Sequence, residues 1–380
     1  MLRLIWKNAW RSRRRTVLTV LSVAMSLFLL STMMCYVSSG EIGLNRAGGS
    51  LRLVTRHATS LTFFLPESYG DRLRAVPHVT QVQGCVWFGG MVEGREDLFS
   101  SNIACDLESI DTMWDEYRFE PRAMEKLRGE MRGALVAKRL LNRMREEVGW
   151  EIGKTVTLTS PIFKMPLEFV LLGTIEGPDE SILLFRRDYL EKARGQPGEV
   201  GYYWVRVDSA EHLSPVSEAI DRMFSNSEFE TKTETEKAFL AGFMSMMGNV
   251  NQLVMNIGFA VVLTILMVAA NTMGMTARER TTEHAVMRCL GFGRARIATL
   301  FLSESVLIAL IGGVLGVGAA TALYRPGRYD LMGMAPDFYM TPLTIAIGLG
   351  VALTVGFLAG VVPAVSASRR SIVDGLRRVD

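Results

Sequence analysis

Four stretches of the chain carry almost no charge, and their lengths decide its class. Residues 16–36 run for 21 positions without a charged side chain. As an α-helix that run covers about 31 Å, enough to cross a bilayer. Residues 238–277 hold no charge for 40 positions. The second half of that run, Leu253 to Met275, is the more apolar and reads as the span. Ahead of it Phe239, Leu240, Phe243, Met246, Met247 and Val250 keep helical spacing, so the helix is expected to project beyond the bilayer. Residues 297–324 contain one charge, Glu304, and residues 338–368 contain none. A soluble fold could bury one such helix, but four leave no polar faces for water, so the pattern predicts four transmembrane helices. A cleaved leader is disfavoured for the first. Its apolar run exceeds the usual ~7–15 residues, no small-x-small site follows cleanly, and Cys35 lacks the preceding Gly or Ala of a lipoprotein site.

Between the first two spans the pattern shortens and mixes. Leu51–Thr55, Leu61–Leu65, Val79 to Trp87, Val156–Thr159, Leu167–Ile175 and Tyr202–Val207 read as strands. Glu67–Val76 reads as a short helix closed by Pro77. Ala134–Val148 keeps Val136, Leu140, Met144 and Val148 in helical register, and Leu213, Val216, Ile220, Met223 and Phe224 mark another helix. The expected fold is therefore an α-helical membrane protein with four transmembrane helices and a large α+β extracytoplasmic domain inserted between helices 1 and 2.

Composition supports this class and charge orients it. Hydrophobic residues make up 49% and charged residues 21%, too apolar for a typical soluble enzyme or a disordered chain. The net charge of +3 averages unlike parts: residues 1–39 hold six basic residues and no acid, residues 251–380 hold eleven against seven, and residues 40–250 hold 25 against 32. An acidic middle of that size excludes a uniformly basic nucleic-acid binder. The basic residues cluster before the first span (Arg3, Lys7, Arg11, Arg13, Arg14, Arg15), between the second and third (Arg278, Arg280, Arg288, Arg294, Arg296) and after the fourth (Arg369, Arg370, Arg377, Arg378). By the positive-inside rule those segments face the cytoplasm, as a multi-pass protein of a bacterial inner membrane would have them. The expected segments are 1–15, an amphipathic helix in the inner headgroup layer or a continuation of the span; 16–39, the first span; 40–237, the external domain; and 238–277, a stalk and second span. There follow 278–296, a cytoplasmic loop; 297–324, the third span; 325–337, an external loop; 338–368, the fourth span; and 369–380, a cytoplasmic tail.

Candidate chemistry is sparse. Arg278, Glu279, Arg280, Glu283, His284 and Arg288 share a short segment with Ala285, Val286, Met287 and Leu290, an amphipathic helix that Gly291 can close. By itself this reads equally as a docking helix or as a solvated basic loop that sets topology. Glu304, about one turn into the third span, either pairs with a basic residue near the inner surface and orients that loop, or snorkels to the headgroups. Gly312 and Gly316, then Gly356 and Gly360, are small-xxx-small pairs suited to close helix packing. Cys85 and Cys105 lie on what read as two external strands, where a disulfide could form; sequence leaves their pairing open. His57, His78, His212 and His284 occur singly without metal-ligand spacing, so no metal site is expected, and no catalytic dyad emerges.

The stretch after the second span carries the most specific pattern: Asn271-Thr272, Ala277-Arg278-Glu279-Arg280-Thr281-Thr282-Glu283-His284, Arg288-Cys289-Leu290-Gly291-Phe292-Gly293-Arg294, Ile297 and Phe301-Leu302-Ser303-Glu304. It resembles the permease subunits of the MacB/FtsX/LolC (type VII, mechanotransmission) class of ABC transporters, whose order of one span, an external domain and three spans is also the order expected here. Residues 65–79 and 133–158 resemble, more weakly, the porter and Sabre lobes of that class, and Pro363 to Arg377 fits its tail, without the Pro often found before the final Leu-Arg. The resemblance implies a homodimer or a pairing with a paralogous permease, membrane lipids around it, a separate cytoplasmic ABC ATPase docking at Arg278–Arg294, Leu290, Gly291 and Phe292 included, and, in some members, a periplasmic adaptor. It implies no enzyme activity and no cofactor in this chain: the sequence has no Walker A pattern, so ATP and Mg²⁺ belong to the partner. It leaves three tasks open: export or extraction of a hydrophobic or amphipathic substrate, release of lipoproteins, or activation of a cell-wall hydrolase.

Overall fold

The structure, a computed structural model, describes residues 12–95, 98, 100–108, 110–246, 250–325 and 338–369. It divides into a helical unit (residues 1–41, 249–329 and 337–380) and an α+β unit (residues 42–248 and 330–336). The expected headgroup helix lies outside the described residues for positions 1–11, as do positions 326–337 of the loop between the last two spans and 370–380 of the tail.

In chain order, α1 (Arg13–Ala47) leads to β1 (Arg52–His57), β2 (Leu65–Pro66), α2 (Tyr69–Arg74), β3 (Val79–Trp87) and β4 (Ser101–Cys105). Next come α3 (Ile110–Met113), β5 (Arg118–Phe119), α4 (Pro121–Gly129), β6 (Gly133–Ala137), α5 (Lys138–Val148), β7 (Thr155–Ser160), β8 (Met165–Glu176), β9 (Ile182–Arg186) and α6 (Arg187–Ala193). The α+β unit closes with β10 (Glu199–Val200), β11 (Tyr202–Val207), a 3₁₀ turn (Ala210–His212), α7 (Leu213–Phe224), β12 (Thr231–Thr235) and α8 (Glu236–Met246). The remaining helices are α9 (Val250–Glu279), α10 (Thr281–Cys289), α11 (Arg294–Leu323) and α12 (Pro342–Arg369).

Four of these helices, α1, α9, α11 and α12, are long and apolar enough to cross a membrane. They outrun their uncharged cores. α1 extends from Arg13 to Ala47, because charged residues at helix ends reach water without breaking the backbone ladder. α11 starts at Arg294, which puts Glu304 in its third turn rather than its first. α12 begins with Pro342, whose missing N–H costs nothing at a helix start.

Glycines set how closely these helices approach. A side-chain carbon on Gly312 would sit 2.6 Å from Val23, and one on Gly316 would overlap the Ala24 carbonyl, so α11 packs on α1 backbone to backbone. Gly356 and Gly360 do the same for α12 on α11, with Ala309 and Ser305 each 2.8 Å from the added carbon. Lipid supplies no hydrophobic drive between helices, so close van der Waals packing of this kind has to hold them. α9 differs: Leu253, Phe259, Leu263 and Met267 are exposed along its length within the described residues.

The α+β unit is built on one ten-stranded sheet, ordered β12-β1-β11-β3-β4-β9-β6-β8-β5, with β7 paired to β8; β10 and β2 form a separate ribbon. Pairs β4–β9 and β6–β8 are parallel and the rest antiparallel. The expected helix over Ala134–Val148 is corrected: residues 133–137 are β6, and only 138–148 are helical. All five β6 residues are buried between β9 and β8, and a short, wholly apolar run fits a central strand as well as a helix. Of the expected strand Leu61–Leu65, only Leu65 joins one.

Two apolar clusters lie toward opposite ends of the sheet order. Phe88, Phe169 and Phe185 meet edge-on under α5, beside Leu140 and Met144. Leu53, Leu73, Val205, Ile220 and Phe224 pack under α2 and α7. A third cluster, with Met113, Leu127, Leu184 and Trp204, includes the paired thiols Cys85 and Cys105. Buried Arg52 crosses from β1 to α8, donating from Nε to Glu236 at 2.8 Å and from Nη2 to Glu116 at 2.5 Å. Burial opposes its charge, but the two carboxylates outweigh burial and its pKa is raised.

Gly316→Ala should lower the stability of the detergent-solubilised protein by about 1–3 kcal/mol through overpacking. Gly318→Ala, with open space around the new carbon, should leave it unchanged. Paired thermal melts of the two variants check this.

Candidate functional site

The segment joining the second and third spans is a tight helical corner. α9 ends at Glu279, and the Arg280 backbone N–H donates to the Thr276 carbonyl at 3.2 Å before α10 begins. α10 buries Thr281, His284 and Ala285, and the His284 ring meets Phe301 of α11 edge-on at 4.6 Å. The opposite side stays open. Gly291 adopts φ 91°, its N–H donates to Arg288 and the Phe292 N–H donates to Met287, which closes the helix through a left-handed residue that glycine adopts without strain.

Two ion pairs hold the corner. Arg280 donates from Nη1 to Glu304 Oε2 at 2.9 Å, with the carboxylate side chain only 4% and the guanidinium 11% exposed. A buried carboxylate at this depth is tolerable only when paired, and the pair ties the start of α10 to the third turn of α11. Arg15 grips Glu279 with both nitrogens, at 2.7 and 2.5 Å, and also reaches Thr276 Oγ1 at 3.3 Å. That bridge is more exposed and contributes about 0–1 kcal/mol, so it guides α1 rather than fastening it.

The expected residues thus divide. Arg280, His284 and Glu304 face inward, while Glu279 is exposed and reaches Arg15 of α1; Arg278 caps a carbonyl of its own helix, donating from Nε to Gly274 at 3.4 Å. Glu283 and Arg288 are half-buried. Leu290, Phe292 and Arg294 form an outward tip, with Leu290 74% and Phe292 43% exposed, beside Val286 at 46%. An exposed apolar tip flanked by arginines is a surface that a partner can cover. Sequence marked Arg15 only as part of the basic cluster and Phe301 only as part of the motif, because nothing local to either shows a contact made across helices.

Cys85 and Cys105 lie apart from this corner, in the α+β unit. They are direct register partners on β3 and β4, buried, and both are free thiols. Burial above all pushes the Cys85 thiol well up from its ordinary value. The fold also gathers three residues that appeared isolated along the chain: His78, Asp208 and His212. Hydrogen bonds with the His212 and then the His78 ring hold the Asp208 carboxyl down at about 2.

Residues 255–372, which contain this corner, match the family model described as the FtsX-like permease C-terminal domain. A Macrolide export ATP-binding/permease protein MacB of Campylobacter fetus is 34% identical over 110 residues, 28% of this chain and 16% of that protein. The uncharacterized ABC transporter permease YvrN of Bacillus subtilis is 24% identical over 237 residues, 55% of this chain and 54% of that protein. The matches therefore span about half or less of these relatives. The crystal structure of the periplasmic region of MacB from Actinobacillus actinomycetemcomitans aligns over 52% of this chain and 95% of that one, at 9% identity and a TM-score of 0.35. Residues 255–372 thus match an FtsX-like permease C-terminal domain, and the chain is similar to ABC transporter permeases, MacB among them.

Removing one partner of the buried pair tests what holds the corner. Glu304→Ala removes the buried carboxylate that Arg280 meets and should cost about 3–5 kcal/mol, and adding Arg280→Met should recover most of that loss. Denaturant melts of the purified single and double variants report both; an unchanged Glu304→Ala melt would show that the pair contributes nothing.

Proposed function

We propose that this permease is a transmission element: a separate cytoplasmic ATPase docks on α10 and the 290–294 tip, and ATP-driven closure of that ATPase is passed through α9 and α11 to the α+β unit outside. The observation that carries this reading is the corner's asymmetry. Its inner side is locked to α11 by Arg280–Glu304 and His284–Phe301, while its outer tip, Leu290 and Phe292, is left uncovered. A locked inner side moves the helix with whatever is docked on the tip, as a rigid body.

The charge clusters support this orientation, with both termini and the 278–296 loop in the cytoplasm of a bacterial cell and the α+β unit outside. The spans offer few polar groups at membrane depth, Asn256 and Asn271 among them, which argues against a hydrophilic conduit. The cargo is accordingly a hydrophobic or amphipathic substrate taken from the outer leaflet or the external side. Relatives named for macrolide export support that class. The uncovered apolar length of α9 suits membrane lipid or a second permease copy, identical or paralogous; a periplasmic adaptor would extend the path.

Co-purification of the tagged chain in mild detergent should recover an ABC ATPase. Leu290→Asp together with Phe292→Asp should weaken that association by about 2 kcal/mol, roughly 30-fold, while leaving the permease melt unchanged. Undiminished recovery would remove the docking role. Cross-linking the α+β units of two copies shut should abolish transport yet spare ATP binding, and full transport by the locked form would refute transmission. Stimulation of ATP hydrolysis by a hydrolase partner alone, with no response to any amphipathic substrate in liposomes, would make the protein a signalling device instead.

A further inference from the structure

The His78, Asp208 and His212 side chains converge because the sheet brings their backbones together. β3 and β11 are antiparallel, with Val79 opposite Val207, so the residues just beyond, His78 and Asp208, are neighbours. The Asp208 N–H donates to the His78 carbonyl at 3.1 Å. The 3₁₀ turn Ala210–His212 then swings His212 back over the same spot. One Asp208 oxygen lies 2.9 Å from His78 Nδ1 and the other 2.6 Å from His212 Nδ1, and the two rings stack with centroids 3.6 Å apart. One ligand atom from each of the three residues lies within 4.8 Å of the other two.

We propose that His78, Asp208 and His212 form a binding site for a divalent transition-metal ion of the zinc class on the α+β unit. Metal–nitrogen and metal–carboxylate bonds of about 2.0–2.2 Å place tetrahedral ligands roughly 3.3–3.6 Å apart. The present N···O separations therefore need to open by only several tenths of an ångström up to about one, on side chains 32–48% exposed. Two neutral imidazoles and one carboxylate select Zn²⁺, Cu²⁺ or Ni²⁺ over Mg²⁺ and Ca²⁺, which prefer all-oxygen sites. Three protein ligands at the surface leave a fourth position open to water or to an exogenous ligand. A bound ion would also staple the β3–β11 corner to the start of α7, whose Val216, Ile220 and Phe224 fill the core beneath.

The bland alternative is a hydrogen-bonded cluster that holds protons and no metal, and one experiment separates the two. The full-length protein, purified in detergent and stripped with chelator, is titrated with Zn²⁺ alone by calorimetry, and its X-ray absorption spectrum is recorded. The expected result is one Zn²⁺ per chain with only nitrogen and oxygen neighbours, and a melting point raised by Zn²⁺. In His78→Gln/His212→Gln that binding should weaken by about tenfold or more, and the Zn²⁺-dependent rise in melting point should vanish. If the double variant fails to fold, Asp208→Asn supplies the same readouts. Equal affinity and stoichiometry in the variant, no saturable Zn²⁺ binding by the parent chain, or sulfur neighbours in the spectrum would each overturn the proposal.

Discussion

A carboxylate buried at membrane depth is costly unless a cation meets it, and the helical unit is arranged so that Arg280 meets Glu304. The pair links Arg280, in the turn between α9 and α10, to Glu304 of α11. Once α10 is held by it, His284 has Phe301 to pack on, and Leu290 and Phe292 have nowhere to go but outward. The exposed apolar tip is thus a consequence of the lock. An uncharged substitute could pack the same space, but it would lose the directional constraint that makes the corner move with α11.

The rest of the helical unit answers a different constraint. Helices in lipid gain little from burying apolar side chains against one another, so the contacts that hold α1, α11 and α12 come from close backbone approach. Gly312, Gly316, Gly356 and Gly360 make that approach, each leaving a neighbour in the space where a side chain would stand. The same unit leaves α9 the least buried of the four spans, although α1, α11 and α12 also carry exposed apolar side chains such as Met25, Val314 and Val362.

The α+β unit follows the economics of water. Its sheet buries alternating positions along β7 and β8, while the more central β1, β3, β6 and β11 bury continuous runs, β6 being apolar throughout. Charges that do enter its interior arrive with partners: Arg52 with Glu116 and Glu236, and Arg187 with Asp106 and Glu67. Those guanidiniums join elements distant in the chain, and each would be expensive to leave unpaired.

Much of this was legible along the chain because it depends on local pattern. The four spans follow from runs of uncharged residues long enough for a bilayer. The end of α10 follows from Gly291, since a left-handed residue after an amphipathic stretch is a signal within a few positions. The motif around residues 277–304 was equally visible. What stayed hidden was every feature built from residues far apart. Glu304 advertised a need for a cation but not which one, and Arg280 was chosen by the turn between helices. Val136 fitted helical spacing yet became a strand, because only its neighbours β9 and β8 decide that. His78 and His212 looked solitary until the β3–β11 register placed Asp208 between them. Sequence by itself determined the membrane class, the order of spans and the end of α10, which rest on hydrophobic length and backbone conformation. Tertiary structure alone decided the pairings, because which charges and rings meet depends on strand register and helix approach rather than on any residue's own preference.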